Sequence, residues 1–488
     1  MPPSGKPNCK KSATRLNKLS LLASIGAAGL LPLSALAQPA DDPAPADEFE
    51  LDLGFDDELF ADAFEEDEDE REESWLDDFT IRISQQVFGQ VNRHTLELLP
   101  GFSFPREPTI ESNRLGVNIR YQNLFANGWL LQASGQSRIY WNEDYEYIAN
   151  GDRIEEESRI NEFFVQRSFG AHSIKLGNQT VVWGETVGNS VLDVINIAEF
   201  RDFTIIDIED ARLNQPMLVW DYFSENSGSF STFLTLYPEF NPAPVRGSPL
   251  FFDPGYHLPD FERNGDILFE VGSQWRYSIE RSDFAVMAAY LIENQLRWEP
   301  PRPGTRDSLA KKNDFVLLGF SANRAIGDML LNFDLAYSHG ILANSFSLPG
   351  TTGLSAPVDL EKNQIGTSFG LEYSISNEQN VSFGVAAQKL LDLNEGLPAG
   401  PLLQNDDFFG NWLVRYSNSL LDGDLVLSST IFGDLEGDSL LGQFGVDYTI
   451  DDNGSISSQI VAISGKIPSP MVFFDEDVRL GATISFSF

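Results

Sequence analysis

The sequence holds a single cysteine, Cys9, so it can build neither a disulfide framework nor a thiolate zinc cluster. Its four histidines, His94, His172, His257 and His339, lack the i, i+4 pairing that sets two imidazoles on one face of a metal-binding helix. No metal and no cofactor are expected. Basic residues are scarce: 33 Lys and Arg stand against 73 Asp and Glu, a formal charge of -40. A chain this acidic cannot neutralise a phosphate backbone, which excludes nucleic acid as a partner. After Ala37 there is no helical spacing of apolar residues and no apolar run near the roughly 20 residues of a membrane-spanning helix. A G-x-S-x-G nucleophile elbow is missing too, and scattered histidines offer no triad, so a barrel hydrolase ranks last among the readings and no enzyme is expected.

What is present begins with an export pattern. Lys6, Lys10, Lys11, Arg15 and Lys18 precede an apolar stretch from Leu19 to Leu33, and the small residues Ala35 and Ala37 follow. Basic, apolar and small-residue regions in that order predict a cleaved secretory signal over residues 1–37. Residues 38–78 then hold 20 acids against the single Arg71. Self-repulsion on that scale opposes a packed core and predicts a disordered periplasmic leader. Phe49, Phe55, Phe60 and Phe64 punctuate it, which gives the leader apolar handholds for a partner.

From residue 79 the period becomes two. Phe79, Ile81, Ile83 and Val87 alternate with Thr80, Arg82, Ser84 and Gln86, and Leu115, Val117, Ile119 and Tyr121 alternate with Arg114, Gly116, Asn118 and Arg120. Such alternation places apolar side chains on one strand face and polar ones on the other. The pattern returns at 269–277 and 364–375. Short polar links such as 126–128, 170–171, 281–282, 326–327, 377–378, 422–423 and 451–454 take turns with longer connections at about 92–111, 142–157, 185–215, 239–264, 298–310, 340–361, 391–406 and 465–473. Tight turns at one end and long loops at the other are the signature of an outer-membrane barrel. Residues 79–488 are therefore expected to form one closed antiparallel transmembrane β-barrel, all-β, of about 18 strands with 16 as the alternative. Leu480, Ala482, Ile484, Phe486 and Phe488 alternate to the end of the chain, so Phe486 and Phe488 are expected to present an assembly signal to the barrel assembly machinery. Trp129, Trp141, Trp220, Trp298 and Tyr448 fall near strand ends, where interfacial aromatics belong.

A barrel of this size encloses a lumen, and its inward rows carry the function. Arg82, Arg114, Arg120 and Arg138 project from the first three strands. The connection from Glu185 to Gln215 mixes the acids Glu185, Asp193, Glu199 and Asp202 with Val191, Leu192, Val194, Ile195 and Ile197. A connection that apolar is expected to fold into the lumen and narrow it, with Asp193, Glu199 and Asp202 opposing Arg82, Arg120 and Arg138. Ordinary local pairing of the Arg wall is the alternative.

The stretch Leu176-Gly177-Asn178-Gln179-Thr180-Val181-Val182-Trp183-Gly184-Glu185, followed by Asp193-Val194-Ile195-Asn196 and Arg201, resembles an uncharacterised family of Gram-negative outer-membrane barrel proteins. Its members read L-G-x-Q-x-V-x-W-G-E and then D-x-I-N-P-x-D-x-R. This chain has Ile197 where they have Pro and Glu199 where they have Asp. The resemblance implies the outer membrane of a Gram-negative bacterium, outer-membrane lipid as surroundings, and a porin-like role or partnership with a large inner-membrane exporter of hydrophobic compounds. Glu185, Asp193, Asn196, Glu199, Arg201 and Asp202 are with the Arg wall the expected constriction. The expected function is a porin-like channel for small polar or amphiphilic solutes; the alternative is a plugged docking barrel that recruits a periplasmic partner through its leader.

Overall fold

The computed structural model describes residues 78–92, 94–99, 102–106, 110–141, 156–186, 190–199, 201, 212–224, 228–242, 261, 263, 267–299, 309–347, 358–391, 402–403, 407–466, 471 and 474–488. The expected signal at 1–37 and all but the last residue of the leader at 38–78 lie outside the described residues.

Alternation of apolar and polar residues produces 18 barrel strands. They are β1 (Phe79–Gln90), β2 (Ile110–Leu124), β3 (Trp129–Tyr140), β4 (Glu156–Phe169), β5 (His172–Gln179), β6 (Gln215–Ser224), β7 (Gly228–Thr235), β8 (Glu270–Ile279) and β9 (Ser282–Ile292). The second half comprises β10 (Asp314–Ile326), β11 (Met329–Ser347), β12 (Val358–Ser376), β13 (Gln379–Leu391), β14 (Phe408–Leu420), β15 (Leu425–Asp434), β16 (Ser439–Thr449), β17 (Gly454–Gly465) and β18 (Asp477–Ser487). Each strand pairs antiparallel with its chain neighbours, and β1 pairs with β18 from Arg82 opposite Ser487 to Gln90 opposite Arg479. Closure continues past the strand ends: Ile81 N donates to Phe488 O at 3.2 Å and Phe488 N to Ile81 O at 2.9 Å. A closed sheet leaves no edge of unpaired amides, the condition hydrocarbon imposes on a spanning structure.

The two faces follow the pattern. Ile83, Ile119, Leu176, Leu218, Val286, Leu318, Phe369, Ile460 and Ile484 form an exposed outer row, which suits lipid rather than water. Their neighbours in sequence turn inward. Short links at 125–128, 170–171, 280–281, 327–328, 377–378, 421–424 and 450–453 share one end with both barrel termini, and Ser487 N donates to Asn453 O there. Exposed Phe125, Phe169, Trp220, Tyr222, Tyr448 and Phe488 ring that end. Trp141 is exposed past the other end of β3, Trp129 is half-buried, and the side chain of Trp298 lies outside the described residues.

The connection expected at 340–361 is much shorter. Strands β11 and β12 run on to Ser347 and from Val358, so polar residues there extend the ladder instead of leaving it. Nineteen residues at about 3.3 Å each exceed the roughly 30 Å of a hydrocarbon core, so this hairpin is longer than a bilayer crossing requires. A bulge between His339 and Ile341, at Gly340, marks where it leaves the barrel wall.

Candidate functional site: the segment inserted between β5 and β6

Strand β5 ends at Gln179, and of the described part of the next connection, 180–186, 190–199, 201 and 212–214, the first stretches turn back against the inner wall while Ile197–Ala198 pairs with Arg212–Leu213. Irregular backbone inside a barrel leaves amides without ladder partners, and side-chain amides supply them. Asn196 donates from Nδ2 to Val181 O at 2.9 Å and accepts from Val181 N at Oδ1 at 3.0 Å, mimicking a strand pair across the segment. Gln215 Nε2 donates to Ile195 O at 2.9 Å, while Asn294 Nδ2 donates to Val194 O and Asn196 O at 3.0 and 2.7 Å. Gln179 Nε2 reaches Met217 O at 2.9 Å, which fixes the end of β5 against β6.

The far end of the segment is clamped by one carboxylate. Asp334, on the inward row of β11 and fully buried, accepts from Glu185 N at 3.1 Å, Thr186 N at 3.1 Å and Ser190 Oγ at 2.8 Å. Ser321 Oγ and Ser368 Oγ, from the flanking strands β10 and β12, donate to it at 2.7 and 3.1 Å. Gly184 makes the approach possible. Its φ of 96° is strained for any side chain, and an added Cβ would lie 1.8 Å from Ser190 Oγ.

Between these fixings the segment buries an apolar face. Trp183, Val191, Leu192 and Ile195 pack with the inward residues Met217, Val219, Phe233, Met287, Leu291, Phe315, Leu317 and Ala336 of β6, β7, β9, β10 and β11. Inward glycines give it room. A Cβ on Gly272 would meet Trp183 at 2.7 Å, one on Gly319 would meet Leu192 at 2.6 Å, and one on Gly366 would meet Val191 at 3.2 Å. A second apolar patch on β14, β16 and β17 is covered by Phe474, with Met471 against it, from the last long connection. The inner wall is thus far from uniformly polar.

The charges pair differently from the expected face-to-face arrangement. Asp193 bonds Arg212 of its own connection at 3.1 Å, and Glu185 meets Arg276 of β8 at 3.2 Å. Arg201 bonds Glu199 through Nε at 2.7 Å and reaches Glu157 of β4 at 2.7 Å. Glu157 also accepts from Tyr140 Oη at 2.8 Å and sits opposite Arg138 in register. Among the described residues, Glu185, Asp193 and Glu199 therefore pair with Arg276, Arg212 and Arg201 rather than with Arg82 or Arg120. Arg82 donates to Ser485 Oγ at 3.4 Å, and Arg114 lies over the Tyr140 ring at 5.1 Å. Asp202 lies outside the described residues. Burial pushes the Glu185 carboxyl above the usual carboxylate range, with Arg276 and Asn323 pulling against it.

Asp334, Gln215, Asn294 and Arg276 were not among the residues expected from sequence. Asp334 had a signal: it is the one acid in the stretch Met329–Ser338, on the row opposite Phe333, Leu335 and Tyr337.

Residues 115–259, from β2 through the inserted segment and past β7, match a family described as "Protein of unknown function (DUF1302)". No curated protein matches the chain. Among solved structures it is similar to OccK9 (OpdG) of Pseudomonas aeruginosa, at 11% identity over 85% of this chain and 100% of that chain, with a TM-score of 0.47. OccAB1 of Acinetobacter baumannii gives 10% identity, 87% and 99% coverage and 0.47. Pseudomonas aeruginosa OpdK, solved with vanillate, gives 10%, 85% and 100%, and 0.45. At such identities and scores the likeness adds nothing to what strand pairing already establishes.

Proposed function

We propose that this chain is a porin-like outer-membrane channel whose bore is set by the segment 180–201. The observation that carries the reading is the clamp at Asp334, which seats a segment of the β5–β6 connection against the inner wall of a closed barrel. A segment held by a buried carboxylate, side-chain amides and apolar packing is positioned as a fixed constriction, as selectivity in a wide pore requires. Outer-membrane lipid surrounds the exposed apolar row, and the barrel assembly machinery reads the end of β18. Small polar or amphiphilic solutes fit a lumen with both polar and apolar wall; service to an inner-membrane exporter is a finer form of the same reading.

Reconstituting the purified full chain in planar bilayers tests it. Discrete, stepwise ion conductance is the expected result. A correctly folded, heat-modifiable barrel that conducts nothing would contradict it and leave the plugged docking barrel in its place.

A further inference from the structure

Building on the channel reading, we propose that the aqueous path runs along β1, β2 and β3 and prefers anions, although the whole chain is strongly acidic. The inward rows partition charge by arc. Among the described residues, the inward rows of β1 to β3 carry Arg82, Arg114, Arg120 and Arg138 and no acid. Arg82 and Arg120 are exposed although both point inward, so lumen water reaches them. Their register neighbours are polar: Arg82 lies opposite Asn118, and Arg120 lies between Thr80 and Ser134.

Elsewhere the inward rows are richer in acid, and most of that acid is covered: Glu157 and Glu162 of β4 and Glu372 of β12 are half-buried, and Asp447 of β16, near the end that holds the termini, is the exposed one among the described inward acids. Asp221, Glu270, Asp283 and Asp334 point inward from β6, β8, β9 and β11, and each is buried. The inserted segment supplies part of that cover directly, because Glu185, Thr186 and Ser190 occupy Asp334 and Glu185 itself pairs with Arg276. The segment thus does two things at once: it narrows the bore and removes acid from it. Charges in water-filled constrictions with low-dielectric walls act more strongly than the distant net charge, since salt screens the latter within about 10 Å. A path potential of one kT separates monovalent anions from cations by about sevenfold.

The test uses the full chain in planar bilayers under a potassium chloride gradient. The expected reversal potential has the anion-preferring sign, and the double variant Arg82→Gln, Arg120→Gln moves the chloride-to-potassium permeability ratio severalfold towards or below unity. Because no cysteine follows Cys9, Arg120→Cys gives a second arm on folded barrels already in the bilayer. A trimethylammonium thiol reagent should raise the ratio of that variant and a sulfonate reagent should lower it. Cation preference in the parent, or a ratio indifferent to charge at both positions, overturns the inference while the channel reading stands. Absence of conductance from every form fails the channel reading itself.

Discussion

A single buried carboxylate decides whether the segment stays seated. Replacing Asp334 by Ala leaves the amides of Glu185 and Thr186 and three serine hydroxyls without their acceptor, at about 1–3 kcal/mol for each group left unsatisfied. The expected outcome is a barrel that still shows heat-modifiable migration but whose segment is cleaved by added protease near 184–190; an uncleaved segment would contradict the clamp. Glu185 gives a pH test with a definite sign. Its carboxyl is raised by burial, so its contribution to seating is fully present below the ordinary carboxylate value of about 4.3 and is lost as pH rises through the raised value. Conductance should therefore climb as pH rises above the ordinary carboxylate value, and Glu185→Gln should flatten that climb. An identical pH profile in the variant would remove Glu185 from the account.

At the scale of elements, the strands were legible because lipid enforces a period of two, and a one-residue slip would put every polar side chain in hydrocarbon. The alternation of turns with long connections appears in the structure, with the connection expected at 340–361 shortened by the extended β11–β12 hairpin. The inserted segment was legible only in part. Its apolar content, Val191 to Ile197, required burial, but which strands would bury it depended on neighbours brought together by the barrel rather than by the chain. Asp334 lies about 150 positions from its amide donors, and no local pattern links them. The charges misled for a related reason: Asp193 and Glu199 find Arg212 and Arg201 within their own connection, and short reach prevails over a wall across the lumen. Two predictions follow from element packing. Trp183→Ala empties a buried aromatic site, about 3–5 kcal/mol, and should lower the urea midpoint for release of the segment, read by protease sensitivity. Changing Phe486 to Asp places a charge in the exposed row of β18 beside Phe488, and should reduce the yield of assembled barrel in the outer-membrane fraction; unchanged yield would contradict a lipid-facing terminal strand.

The whole molecule is a closed 18-strand wall, and in the proposed channel one inserted segment sets both bore and field. Each part answers to a different force: hydrocarbon closes the wall, apolar packing seats the segment, and the clamp at Asp334 fixes its far end. The central claim, that this segment narrows an open pore, is tested most directly by unitary conductance in planar bilayers, parent against Gly184→Ala and Asp334→Ala. Both variants break the same anchorage by different means, one by a Cβ too close to Ser190 and one by loss of the acceptor. The predicted result is a larger single-channel conductance in both variants than in the parent, with barrel migration unchanged. Equal conductance in all three, with the barrels equally folded, would show that the segment does not define the bore.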